Sequence, residues 1–502
     1  MNYRKLLFGI FFLALLFSLG TPSLRAQDEP PQTPQPQDPQ QPQQPPPTEP
    51  QDNPFDSAPK PAGQAFPYFD FGLGNSGDLQ PDYSPLTGML NAGLGFPQVK
   101  HSYWVPGVQF SSSVQSDLFN PSGGSTDWYA NNYVAGNLSL LEAWSRSQLA
   151  LNYSGGGTFT ANGTQGNSGY QQLAFAQSFL FNRWIFQIVD QFSQLPQSAF
   201  GFGVGTSLGA AGVGGSLGPT IPGIGNGYVP NQSIYGGYGQ RFSNSVVMQA
   251  TYQLSRRGSV TVSGSYGILH YVNPGNTDTD SAFGSMGYNY KLTPKDTIGL
   301  FYQFSSFHYP GSPQAYGSQT ASAAYSRKIT GRLALSLYGG PQFTSLRIPV
   351  GGSSSTVSGY VSAFLNYAFE RGGISGSYFH GLSGGSGLLV GSILDQVNFS
   401  VNRRLTRVWS ASANVGYAHN RTVIDSTAGT LTNPSYNNWF AGAGVNRPFG
   451  RSVTFSLAFS ENIENNNLGC TLPGPGCGTS ATSSGQAVTV SLQWHPRPFI
   501  LP

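Results

Sequence analysis

Few residues of this chain could do chemistry, and their spacing argues against most of it. His380-Gly-Leu-Ser383 is the one arrangement that sets a nucleophile beside a base. A serine nucleophile also needs its imidazole oriented by a third group, and no Asp or Asn stands at a plausible spacing, so catalysis is not expected and hydrolysis is a minor alternative. His270, His308, His380 and His419 invite a metal ring, mostly beside aromatics as in Phe307-His308-Tyr309. They fall on alternate extended segments, roughly 10 Å apart if those segments pair, whereas zinc needs nitrogens about 2 Å away. They read as polar-aromatic interface residues, and neither a metal nor a cofactor is expected. Cys470 and Cys477, in a Gly/Pro-rich loop, predict a local disulfide, worth roughly 2 to 3 kcal/mol in the chain-entropy model. There is no Gly-Lys phosphate loop and no Cys/His cluster, so nucleic acid is not an expected partner.

The bases carry more information. Of the nineteen Lys and Arg residues beyond Lys100, sixteen lie in or beside eight short turns, or just after the last extended segment. The turns are Glu142 to Ser147, Asn182-Arg183, Ser255 to Gly258, Thr293 to Asp296, Thr330 to Arg332, Glu370 to Gly373, Arg404 to Arg407 and Pro448 to Arg451. Their bases are Arg146, Arg183, Arg256, Arg257, Lys295, Arg332, Arg371, Arg404, Arg407 and Arg451. Nine of the twelve acids in the same region, among them Asp117, Asp278, Asp395 and Glu464, fall in or near the alternate, longer connections. The folded chain therefore has two different ends, one basic and one acidic.

The elements that position these groups follow from a period of two. Val453, Phe455, Leu457 and Phe459 share one face of a strand, and Thr454, Ser456, Ala458 and Ser460 share the other. The pattern predicts eighteen strands, with 16 to 20 allowed, the first near Tyr103 and the last near Gly485. In a soluble sheet the second face would carry Lys and Glu; here only 9% of residues are charged, against about a quarter in soluble domains. The reading is all-β: a transmembrane antiparallel up-and-down barrel, apolar outside and neutral-polar inside, with short periplasmic turns and long outer loops. Trp104, Trp128, Trp184, Trp409, Trp439 and Trp494 stand near strand ends, where headgroup girdles form. Gln249, Thr251, Ser263, Asn289, Gln303, Ser362, Asn366, Asn398 and Asn446 are candidate pore-lining residues.

Met1 to Ala26 reads as a signal peptide: Arg4 and Lys5, an apolar run, then small residues. Residues 27–64 form a Pro/Gln-rich leader too poor in apolar groups to bury a core, expected to be disordered in the periplasm. Residues 65–102 are an irregular Gly/Pro/aromatic segment that is a plug, a cap or neither. The barrel is assigned to 103–495, and 496–502 to a C-terminal extension.

On signal peptide, alternating strands, basic turns, aromatic girdles and long loops, the chain resembles bacterial outer-membrane β-barrel proteins of the porin type over Tyr103 to Trp494, with no family-specific motif. The resemblance implies location in the outer membrane, contact with its lipids and lipopolysaccharide, and recognition by barrel-assembly machinery. That machinery reads a terminal aromatic, for which Trp494 and Phe499 are both candidates. It also implies that the third outer loop, Leu195 to Ser243, folds inward. Phe200 to Gly227 has no charge, so that loop is either an uncharged gate or a Gly-rich surface loop. A porin-like channel for small, mainly neutral polar solutes is the expected function. The alternative is a non-conducting, envelope-organising barrel tethered to the cell wall by its leader.

Overall fold

In the computed structural model the described residues are 102–116, 128–161, 167–197, 239–272, 277–312, 314–348, 352–384, 389, 391–423, 435–450, 452–467 and 481–500. The signal segment, the leader, most of the third outer loop, Arg451 and both cysteines lie outside them.

Eighteen long strands run in sequence: β1 Tyr103–Ser116, β2 Trp128–Ala143, β3 Ser147–Ala161, β4 Ser168–Phe181, β5 Trp184–Gln197, β6 Gly239–Gln253, β7 Gly258–Tyr271, β8 Thr279–Lys291 and β9 Asp296–His308. They continue as β10 Ala315–Lys328, β11 Leu333–Ile348, β12 Gly352–Phe369, β13 Gly372–Ser383, β14 Ser392–Arg404, β15 Ser410–Thr422, β16 Ser435–Phe449, β17 Val453–Asn467 and β18 Ala481–Trp494. A two-residue β19, Phe499–Ile500, follows. Each long strand pairs antiparallel with the next, and β18 returns to β1 from Val108↔Trp494 to Gln115↔Ala487. The sheet closes on itself and has no free side edge, which is what an all-strand crossing of lipid requires.

The short turns shape one rim. Between β4 and β5 only Asn182 and Arg183 intervene, and Asn182 takes the left-handed conformation, φ 43°, that such tight hairpins demand. At the other end the last strand begins earlier than alternation indicates: β18 starts at Ala481, against an expected start near Gly485. Beyond the apolar band nothing forces alternation, so the ladder outruns its sequence signal.

Two local departures matter. The extension after Trp494 does not trail off: β19 pairs Phe499 with Trp104 and Ile500 with Tyr103, and the Phe499 ring stacks on Trp104 at 4.7 Å. It supplies β1 with the partner that β18 no longer provides there. The second departure is between β12 and β13. β12 pairs with β11 along its length, from Ile348↔Gly352 to Leu333↔Tyr367, but pairs with β13 only from Val361↔His380 down to Phe369↔Gly372. Beyond His380, β13 stays paired with β14, which remains paired with β15, and parts from β12.

Candidate functional site

The two faces of the wall differ as the alternation requires. On β1, Val108, Phe110 and Val114 are 48 to 51% exposed, while Gln109, Ser111, Ser113 and Gln115 between them are at most 2% exposed. Leu300, Tyr302 and Phe304 on β9, and Val488, Val490 and Leu492 on β18, are likewise turned outward. A closed sheet with this outer face has lipid as its solvent. The chain is a membrane-spanning β-barrel. Trp104, Trp184 and Trp494 stand outward at the short-turn ends of their strands, Trp128 and Trp439 at the long-loop ends, all 36 to 53% exposed. Trp409 precedes β15 at the short-turn end, where the Arg447 guanidinium lies over its ring at 5.2 Å.

By alternation, all nine residues singled out from sequence as pore-lining fall on the inward face. Gln249, Thr251, Ser263, Asn289 and Ser362 are 1 to 6% exposed, and Asn366 is exposed toward the interior. Ser263 pairs with Ser285 at 2.6 Å, and the Gln249 amide reaches Thr251 at 3.5 Å. The hydroxyls of Ser111, Ser113, Ser318, Ser322 and Ser362 are buried and make no hydrogen bond to the protein. Each such group left without a partner costs about 1 to 3 kcal/mol. Among the described side chains the inward charges stand at strand ends: Lys291, Lys328 and Arg404 near the short turns, and Glu464, 3% exposed, at the long-loop end of β17. Nothing in its sequence neighbourhood, Glu461-Asn-Ile-Glu464, separates this inward acid from outward Glu461 except counting by two.

The interior is narrowed by an element not singled out from sequence. The described ends of the seventh outer connection, Gly381 to Gly384 after β13 and Leu389 and Gly391 before β14, turn inward at the long-loop end. The backbone N–H of Leu382 donates to the Gln342 side chain on β11 at 3.2 Å, and the Leu382 side chain packs with Phe307, Tyr309, Tyr316 and Leu346. The Tyr309 hydroxyl donates to the Gly384 carbonyl at 3.2 Å. A Cβ on Gly384 would meet Phe307 at 3.3 Å and Thr279 at 3.4 Å. Thr279 belongs to β8, five strands from β13, roughly 24 Å along the wall at the usual spacing. On the other flank Leu389 packs against Tyr436 of β16. Tyr309 and Tyr316 are 0 and 2% exposed, and burial pushes the Tyr309 phenol above its ordinary range, so it stays a neutral donor. Gly391 sits at φ +73° with its Cβ position 3.0 Å from the Tyr316 ring, a backbone shape and a clearance that favour glycine. None of the contacts named here involves a charge.

His270, His308, His380 and His419 lie outside the lumen, on the outward face at the long-loop end. His380 Nδ1 is 2.6 Å from Asp395, which also accepts from Tyr378 at 3.2 Å. His419 Nδ1 is 2.7 Å from Asn437, which accepts from Tyr417 at 2.8 Å. His270 meets Asp278 at 2.6 Å, and His308 stands opposite Asp280 in register. The orienting acid that sequence spacing left out, Asp395, thus exists for His380. Ser383 is nevertheless three residues along the same strand and on the opposite face, out of reach of the imidazole.

No protein-family model matches the chain, and no curated protein matches it. Among solved structures it is similar to OccK2 (OpdF) of Pseudomonas aeruginosa, at 10% identity and TM-score 0.41, covering 78% of this chain and 98% of that one. OccAB2 of Acinetobacter baumannii gives 11% and 0.40 over 78% and 98%. The FrpB iron transporter of Neisseria meningitidis gives 7% and 0.35 over 79% and 83%.

Proposed function

We propose that this barrel is a passive, weakly selective channel for small neutral polar solutes, narrowed by the inward tip of the β13–β14 hairpin. The observation that carries the reading is the junction of that tip with the opposite wall, made by the Tyr309–Gly384 and Leu382–Gln342 hydrogen bonds and the contacts around Phe307. A constriction built from neutral side chains and backbone has no transverse field with which to sort ions. The inward columns of Ser, Thr, Asn and Gln offer hydrogen bonds to hydroxylated solutes without a charge ladder for phosphate or carboxylate. Most of the third outer loop, read from sequence as either an uncharged gate or a Gly-rich surface loop, lies outside the described residues, and the proposal does not use it.

Proteoliposome swelling tests this reading. Neutral sugars are expected to enter faster than charged solutes of similar size. No entry by either class, with the hairpin tip present or removed, would sink it. The complete burial of Tyr309 is the one observation favouring the other reading, a closed envelope barrel, and that second result is what it predicts.

A further inference from the structure

We propose that the short-turn rim is a collar that binds anionic phospholipid head groups of the inner leaflet, one turn to a head group. Four turns are built alike. In each, a Ser or Thr hydroxyl accepts from the backbone N–H two and three residues on: Ser255 at 3.2 and 2.9 Å, Thr293 at 3.1 and 3.0 Å, Thr330 at 3.2 and 3.0 Å, and Thr406 at 3.3 and 3.1 Å. Their backbones also agree, since the residue before each hydroxyl donates across the turn at 2.9 to 3.0 Å.

That preceding residue is Leu254, Leu292, Ile329 or Leu405, 42 to 52% exposed, the first residue past its descending strand and, by continued alternation, on the outward side. Two or three positions later come exposed bases: Arg256 and Arg257, Lys295, Arg332, and Arg407. Trp144-Ser-Arg146 and Phe181-Asn-Arg183 repeat the order with aromatics, 53 and 48% exposed. Each turn therefore presents an aliphatic or aromatic group where the apolar band ends and a cation just beyond it. A phospholipid presents the complement in the same order, acyl chain then phosphate. A wall polymer or an acidic protein would engage the cation and leave the aliphatic ring in water. Among the described residues only Arg332 of the four-turn bases has an acid within ion-pair distance, Glu370 at 3.8 Å with both side chains more than half exposed, a contact of little strength. The Ser/Thr hydroxyls hold the turn backbone, so the cations are fixed in height relative to the lipid.

The test is native mass spectrometry of the full chain released from phosphatidylcholine nanodiscs containing a minority of phosphatidylglycerol. Wild type should retain phosphatidylglycerol in preference. The quadruple variant Arg257→Ala, Lys295→Ala, Arg332→Ala, Arg407→Ala should retain about twofold less or lower, while Arg347→Ala with Arg421→Ala at the opposite rim should match wild type. A second quadruple variant, Ser255→Ala, Thr293→Ala, Thr330→Ala, Thr406→Ala, keeps every charge and should fall between them. It carries the test if the first fails to show the heat-dependent gel shift of a folded barrel. Equal phosphatidylglycerol retention by all variants overturns the proposal, as does equal loss of both lipids. So does full competition by soluble glycerol phosphate, which would mean that phosphate alone is read.

Discussion

At the scale of single residues the wall depends on glycines that neighbouring rings cover. Gly416 pairs with Phe440 across β15 and β16, and a Cβ at Gly416 would lie within the Phe440 ring. Gly287 and Phe301 repeat the arrangement on β8 and β9. Gly416→Val therefore forces the ring away and should cost about 1 to 3 kcal/mol, seen as a lower urea midpoint for loss of the heat-resistant folded band; an unchanged midpoint would mean that the ring has another resting place. At the constriction, Tyr309→Phe removes one hydroxyl that donates to Gly384. The expected loss is about 0.5 to 1.5 kcal/mol of local closure, measured as faster hydrogen exchange around residues 382–384 with the rest of the barrel unaffected. Residue faces were legible from sequence because strand side chains alternate, so counting by two places Ser263 inward and Val262 outward. The covering of Gly416 by Phe440 was not legible, because register between strands is set by pairing that a single strand does not display.

The elements repeat one rule with two exceptions, and both exceptions involve strand ends. Alternation and turn residues suffice for eighteen antiparallel strands, since each has an apolar column that lipid must solvate. They do not reveal that β13 parts from β12 after His380, because Gly381-Leu-Ser-Gly keeps a strand-like composition while its surroundings change from lipid to lumen. Nor do they reveal that Phe499-Ile500 returns to β1, since two residues after Pro496 and Pro498 are too few to show a period. β1 and β18 share eight rungs, fewer than β1 shares with β2, so the closing seam leans on β19. Truncation after His495 removes the Phe499–Trp104 stack and two rungs. The truncated chain should lose its folded gel band several degrees below the full chain, and an unchanged transition would show that the seam does not use the extension.

At the scale of the whole molecule, two rims of opposite character enclose a wall that is apolar outside and neutral-polar inside. Among the described side chains the inward charges stand only at strand ends, so on the proposed reading the cations at the turns serve the membrane contact rather than solute selection. If the seventh outer connection sets what crosses the lumen, as proposed, the most direct test replaces Leu382 to Ile393 with Asn-Gly, a two-residue turn that joins Gly381 to Leu394 across an existing pair. Planar-bilayer recording should show discrete steps for the parent chain and larger ones for this variant, with weak ion selectivity in both. Equal conductance in the two, or silence in both, would contradict the account.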